Sequence, residues 1–180
     1  KNWKSSVDGN WYNAVSMSAT GQYQTMATDG YYLYVSSDYG ATWITSGDQF
    51  AWSSVSVSGT GQYQTACVYE GNIYVSSNYG STWTSKIGTS YFKSVAVSET
   101  GKYQQAVARP YGSTFIYTSF DFGVTWTGAN NADEFQAVSV SRTGQYVTIV
   151  GEYILVSRNY GDTWLKKGEG GYSWSAISVR

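Results

Sequence analysis

The side chains able to do chemistry are few, and their spacing argues against most catalytic designs. The 180-residue chain holds no histidine, which removes Ser-His-Asp and Cys-His nucleophile systems and the commonest metal ligand. Its one cysteine, Cys67, lies inside an alternating strand pattern, so neither an intrachain disulfide nor a zinc constellation can form, and a buried structural thiol is expected. Glycosidases use paired carboxylates. Here Asp133 and Glu134 are neighbours in a linking segment where alternation points them apart, and Glu70 and Glu152 read as equivalent places in different repeats. All four read as solvated loop residues. No turn reads G-x-x-x-x-G-K-[ST], so there is no phosphate-cradling loop of that kind. The expectation is no catalytic residue, no metal and no cofactor.

Composition narrows the class. Charged residues make up 13% of the chain against 42% hydrophobic, with 18 Tyr, 8 Trp and 20 Gly, a strand-and-turn composition rather than a helical one. A net charge of −1 supplies no basic field for nucleic acid. The longest apolar runs, such as Ile154-Leu155-Val156, fall far short of the ~20 residues a helix needs to cross a bilayer, so no membrane insertion is expected. A chain opening on Lys1 fits signal-peptide removal or a cut from something longer, and an extracellular or cell-surface location is the expectation drawn from that.

Internal repetition decides the architecture. The segments Ser36-Ser37-Asp38-Tyr39-Gly40-Ala41-Thr42-Trp43, Ser76-Ser77-Asn78-Tyr79-Gly80-Ser81-Thr82-Trp83, Ser119-Phe120-Asp121-Phe122-Gly123-Val124-Thr125-Trp126 and Ser157-Arg158-Asn159-Tyr160-Gly161-Asp162-Thr163-Trp164 share the core S-x-[D/N]-x-G-x-T-W. Thr-Gly-(Gln/Lys)-Tyr at 20–23, 60–63, 100–103 and 143–146 travels with them. The period near 40 residues suits one four-stranded blade. Within a repeat, strand A is a Val/Ser alternation at 15–18, 55–58, 95–98 and 138–141, with the valines on one face. A Thr-Gly turn leads to strand B, typified by 63–68. Strand C is typified by Ile73–Ser76, and strand D begins at the Thr-Trp pair.

The eight-residue segments resemble the Asp-box of bacterial and viral sialidases, sortilin-like receptors and photosystem assembly factors, in which the box forms the turn between the third and fourth strands of a propeller blade. The resemblance covers nearly the whole chain. It implies an all-β propeller of four-stranded antiparallel blades, with repeats at about 12–51, 52–91, 92–134 and 135–173. Asp38 and Asp121 are then structural acceptors that close an Asx-type turn, and Asn78 and Asn159 keep the acceptor oxygen. Ser36, Ser76, Ser119 and Ser157 open the box, while Gly40, Gly80, Gly123 and Gly161 take a conformation a Cβ disfavours. Thr42, Thr82, Thr125 and Thr163 precede Trp43, Trp83, Trp126 and Trp164, which wedge between sheets as apolar plugs. With one acidic group per copy, the box is a poor calcium loop.

The resemblance also says what a sialidase site would need: an arginine cluster, a tyrosine nucleophile paired with an acid, and a general-acid aspartate. Arg109, Arg142, Arg158 and Arg180 are the whole arginine complement, with Arg142 in an A–B turn and Arg158 in a box, so they do not converge with Arg109. Tyr23, Tyr63, Tyr103 and Tyr146 repeat with the blade and read as packing.

Both ends are unusual. Residues 2–5 read as a D-type strand and 174–179 as an A-type strand, so four full repeats carry two terminal strands and lack strands B and C of a fifth blade. A truncated larger propeller, a reduced closing blade, or strands lent by a neighbouring subunit would each account for this.

The repeated A–B and C–D turns share one face. The B–C segments (28–31, 69–72, 109–114, 151–152) and D–A segments (45–51, 85–91, 128–134, 166–173) share the other and differ freely. Variable loops on a fixed scaffold carry specificity. The expectation is a non-enzymatic, lectin-like binding or interaction module for a glycan or protein surface, with Tyr69, Glu70, Arg109, Tyr111 and Asp133 as ligand-binding residues. The rivals are a structural subunit of an oligomer or filament, self-associating through its terminal strands, and a non-catalytic fragment of a larger sialidase-like or assembly-factor propeller.

Overall fold

A computed structural model describes residues 11–88, 90–109, 113–131 and 133–168, with 174, 175, 177 and 178 beyond them. The terminal D-type strand assigned to 2–5 lies outside the described residues. Of 174–179, the four described residues are not in a strand. No helix among the described residues is long and apolar enough to cross a membrane.

Among the described residues sixteen strands form four antiparallel sheets, each built of four consecutive strands in chain order. The first strands are β1 (Tyr12–Met17), β5 (Trp52–Val57), β9 (Phe92–Val97) and β13 (Phe135–Val140). The second are β2 (Gln24–Thr28), β6 (Gln64–Val68), β10 (Gln104–Ala108) and β14 (Val147–Gly151). Each first strand bulges at its start, as at Trp52/Ser54 against Val68/Cys67. The fourth strands begin just after the repeated Trp, at Ile44, Thr84, Thr127 and Leu165.

The alternating pattern works as expected but faces the next blade rather than a single central core. Three apolar clusters occupy the three junctions. Ala27 and Leu33 of blade 1 pack with Trp52, Val55, Ala66 and Val68 of blade 2. Cys67, Ile73 and Val75 of blade 2 meet Phe92, Val95, Ala106 and Ala108 of blade 3. Val107 and Ile116 of blade 3 meet Phe135, Val138, Val147 and Ile149 of blade 4. Each blade thus has a leading face turned to its predecessor and a trailing face turned to its successor.

This corrects the role expected of the repeated tryptophans. The fully buried aromatic plugs are Trp52, Phe92 and Phe135 at the starts of first strands. Trp83, Trp126 and Trp164 are only partly buried against the clusters, because they stand at the outer edge where the fourth strand leaves the turn.

The serines of the alternation join neighbouring first strands. Ser16 Oγ accepts from Val57 N at 3.0 Å, Ser54 Oγ from Val95 N at 3.2 Å, Ser56 Oγ from Val97 N at 3.0 Å and Ser94 Oγ from Val138 N at 3.3 Å. A valine there would leave a backbone N–H without this acceptor, which is why the strands alternate Val with Ser.

Candidate functional site

The eight-residue turns have one hydrogen-bond design with two chemical variants. Asp38 Oδ1 accepts from Thr42 N at 2.9 Å and from the Ser36 hydroxyl at 2.8 Å, while Asp38 Oδ2 accepts from the Thr42 hydroxyl at 2.6 Å. Ser36 Oγ in turn accepts from Gly40 N at 2.9 Å. Where asparagine replaces aspartate the threonine hydroxyl reverses: Asn78 Nδ2 donates to Thr82 Oγ1 at 2.9 Å, and Asn78 Oδ1 still accepts from Thr82 N. The Asn159 turn has the same amide-to-hydroxyl contact with Thr163. In the third copy Ser119 and Asp121 occupy the same places, with Thr125 as the third partner. The hydroxyl and N–H of Thr42, with the Ser36 hydroxyl, hold the Asp38 carboxyl down at about 2. For Asp121, burial pushes the carboxyl up, but the bonds from Thr125 and Ser119 outweigh it and the net direction is down. These carboxylates are committed to the turn.

The residue before each turn glycine is a left-handed aromatic: Tyr39 (φ 63°), Tyr79 (62°), Phe122 (61°) and Tyr160 (64°). That conformation is costly for a bulky side chain. For the last three the offset comes from the preceding blade, whose Thr-Gly turn tyrosine lies over the ring: Tyr23 on Tyr79 at 4.5 Å, Tyr63 on Phe122 at 4.6 Å and Tyr103 on Tyr160 at 4.3 Å between centroids. The repeated face is thus an inter-blade joint.

On the opposite face, four backbone bonds align the loops: Asp29 N to Trp11 O, Tyr69 N to Ala51 O, Arg109 N to Tyr91 O and Glu152 N to Glu134 O. Tyr69, Arg109 and Glu152 are therefore counterparts. This corrects the pairing of Glu70 with Glu152: β6 and β14 are both five residues long, so Glu152 follows β14 directly as Tyr69 follows β6, and only the connection to the third strand is shorter after Gly151.

The predicted ligand residues separate into two kinds. The Arg109 guanidinium is paired with Glu134 at the start of the next blade, and Asp133 takes Lys166 Nζ on both oxygens at 2.8 and 2.9 Å, so both are engaged within the protein. Lys166 Nζ also lies 3.2 Å from the centroid of Tyr153. Tyr69 keeps 40% of its surface exposed, with Tyr91 edge-on at 5.6 Å and Lys93 Nζ 4.5 Å from its ring centroid. Glu70 is exposed beside it. Tyr111 lies outside the described residues.

Trp11, 82% exposed and the counterpart of Tyr91, and Tyr31, also exposed, belong to the same loop face and were not singled out from sequence. The signal was available, because an aromatic directly before a first strand recurs at Tyr91. Arg142, on the repeated face, is held by Glu99 of the preceding blade, with Arg142 Nη2 to Glu99 Oε1 at 2.6 Å.

Two grooves lie at the outer rim. One of about 210 Å³ is lined by Ile116, Phe120, Thr127, Ala129, Asp162 and Trp164, and another of about 120 Å³ by Val35, Ser36, Thr42, Ile44 and Tyr79. Both are smaller than the ~300–1,000 Å³ of ordinary small-molecule sites. Among the described residues no three His, Cys, Asp or Glu side chains come together as a metal group could require.

Blades arranged in this order place the chain among the β-propellers, and solved structures agree. The chain is similar to the GH74 enzyme of Niastella koreensis, at 21% identity and TM-score 0.63 over 86% of this chain and 24% of that one. It is similar to the GH74 xyloglucanase of Xanthomonas campestris, at 16% identity and TM-score 0.63 over 84% and 28%. It also matches YCF48 bound to D1 peptide, at 14% identity and TM-score 0.53 over 92% and 69%. At these identities the likeness is one of fold. The chain spans about a quarter of the length of the two GH74 proteins. No family model matches the sequence, and no curated protein matches it.

Proposed function

We propose that this chain is a non-enzymatic, extracellular binding module that engages a protein surface through its variable-loop face, with Tyr69 at the centre of the contact. The observation that carries the reading is the state of Tyr69: a half-exposed ring braced by Tyr91 and Lys93 on the face whose loops differ between blades. A braced aromatic loses little entropy on binding and offers a large amphipathic area. Trp11 and Tyr31 extend that aromatic surface. The rim grooves are too small to favour a small-molecule substrate, and Glu134 and Asp133 are tied to Arg109 and Lys166. YCF48, solved with a D1 peptide, is a propeller with a peptide partner and supports a protein over a glycan. The eight-residue turns are read as structural Asp-boxes of the sialidase type, in this chain or in a longer propeller containing it.

The test is a pull-down and a glycan array with the wild type, Tyr69→Ala and Tyr111→Ala, with Arg142→Ala as the control on the repeated face. Loss with the loop variants alone supports the reading. Equal loss with Arg142→Ala puts the site on the other face, retention on a glycan array alone makes the ligand a sugar, and turnover of a fluorogenic sialoside that a point mutation abolishes removes the non-enzymatic part.

A further inference from the structure

The larger rim groove lies where residues that break the repeat come together. Phe120 stands where the other turns carry Ser37, Ser77 and Arg158, and Asp162 where they carry Ala41, Ser81 and Val124. Ala129 stands where the other fourth strands carry Ser46, Lys86 and Lys167. All of these departures line one groove of about 210 Å³ between blades 3 and 4, together with Gly161 and Trp164. Residues the blades need for folding recur from copy to copy, so departures that converge on one concave surface point to a site grafted on the scaffold.

The junction of blades 1 and 2 shows what the departures change. There the Ser46 hydroxyl donates to Gly80 O at 2.5 Å and accepts from Trp83 Nε1 at 3.1 Å. Strand register sets Ala129 opposite Ile116 just as Ser46 lies opposite Leu33, so a methyl group takes the place of that hydroxyl beside Gly161 and Trp164. The indoles of Trp43, Trp83 and Trp126 also donate to the carbonyl of their own turn glycine, each at 3.1 Å. Among the described residues Trp164 Nε1 and Gly161 O do not make this bond and have no other hydrogen-bond partner. The Asp162 carboxylate is exposed and likewise unpaired among them. The groove therefore presents one donor and two acceptors. Its aromatic walls are fixed: Tyr103 braces Phe120 edge-on at 6.3 Å, and Trp164 packs against the apolar cluster of blades 3 and 4.

We propose that this groove binds a single ring of a neutral sugar, separately from the loop face, with one sugar hydroxyl in the place that Ser46 Oγ fills at the first junction. That hydroxyl accepts from Trp164 Nε1 and donates to Gly161 O, while a second donates to Asp162. One hydroxyl has one proton to donate, so two acceptors require a polyol rather than a serine or threonine side chain. An ammonium group has no lone pair for the indole N–H, and an acidic sugar would set its carboxylate against Asp162. Phe120 and Trp164 offer the apolar C–H face of the ring its contact. The groove is too small for an extended oligosaccharide but has room for one pyranose ring.

The test is a titration of the ¹⁵N-labelled chain with D-glucose, D-galactose, D-mannose and N-acetyl-D-glucosamine, following the Trp164 indole and Gly161 amide cross-peaks. At least one of these sugars should shift both peaks saturably, with Kd on the order of 1–10 mM, as a few hydrogen bonds to one ring would give. Glycerol and N-acetylneuraminic acid should not. Ala129→Ser rebuilds the Ser46 arrangement, so it should keep the wild-type circular dichroism spectrum and lose the sugar-dependent shift. Asp162→Ala, at an exposed position, should weaken binding about tenfold, the loss of one hydrogen bond to a charged group. Tyr69→Ala should bind the sugar like the wild type, so failure here is separable from failure of the loop-face reading. No saturable shift with any of the four sugars overturns the proposal. So does an equal response to glycerol or N-acetylneuraminic acid, or a shift that survives both Ala129→Ser and Asp162→Ala.

Discussion

Thr65 Oγ1 donates to Gln104 Oε1 at 2.5 Å across the junction of blades 2 and 3, with both residues fully buried. Thr25 and Gln64 repeat the pair at 2.6 Å between blades 1 and 2. At the third junction the same space is filled differently. Gln105 replaces the threonine, Val147 replaces the glutamine, and Thr118 stands where Val35 and Val75 stand in the first two blades. Gln105 Nε2 reaches Tyr160 O at 3.0 Å, and its Oε1 accepts from the Thr118 hydroxyl at 2.9 Å. The amide has moved from one side of the joint to the other, and its partners have moved with it.

That exchange predicts strong coupling. Gln105→Thr alone strips Tyr160 O and Thr118 of partners and should destabilise by about 1–3 kcal/mol, the range for buried groups left unsatisfied. Val147→Gln alone crowds the joint against Gln105 and should cost a similar ~1–3 kcal/mol. The double variant rebuilds the Thr–Gln pair of the other two junctions, and urea unfolding should show it recovering most of either loss. Additive losses would mean that the two positions are not paired.

The acid limb of stability should carry the signature of the aspartate turns. The folded pKa of Asp38, about 2, is below its ordinary 3.8, so the ionised turn is favoured above pH 4 and that contribution fades as pH falls from there through 2. Asp121 shifts in the same direction, whereas the turns built on Asn78 and Asn159 hold no proton to gain. Carboxyl NMR should place the Asp38 midpoint near 2. Asp38→Asn should melt within about 2 °C of the wild type at neutral pH, because the threonine hydroxyl can reverse as it does at Thr82, while Asp38→Ala loses the acceptor and should melt lower. Identical melting of the two variants would remove the acceptor role.

How much of this was legible follows from what each residue answers to. Blade number, strand order and the turn residues are local properties, so the spacing of Gly40, Gly80, Gly123 and Gly161 and the Val/Ser alternation expose them directly. The destination of Val55 or Tyr63 is a neighbouring blade some 40 residues away, and periodicity gives a face without naming its partner. That is why Trp43, Trp83, Trp126 and Trp164 read as plugs when Trp52, Phe92 and Phe135 fill that role. Arg109 and Asp133 read as available for ligand for the same reason: their partners, Glu134 and Lys166, stand 25 and 33 residues further on. The loop face itself was correctly located by topology, but its charge pairing was not visible in sequence.

Cys67 provides the last test, one of native packing rather than of any site. The thiol is wholly buried at the blade 2–3 junction, and burial pushes it up to about 12, against a smaller opposing effect from the Ser53 hydroxyl at 3.2 Å. Only on the order of one thiol in ten thousand is then ionised at pH 8, and that one is out of reach, so an aromatic disulfide reagent should label the native protein no faster than the blade opens. Because the folded pKa lies above the unfolded one, the neutral thiol leaves stability unchanged at neutral pH. Stability declines as pH rises above about 9, where the unfolded chain gives up the proton that the fold retains. Labelling should accelerate in urea in step with the loss of strand signal, and Cys67→Ala should shed the alkaline decline that this thiol contributes. Rapid labelling without denaturant would show that the junction between Cys67, Ile73 and Phe92 is open in solution, and would refute the packing described for the joint of blades 2 and 3.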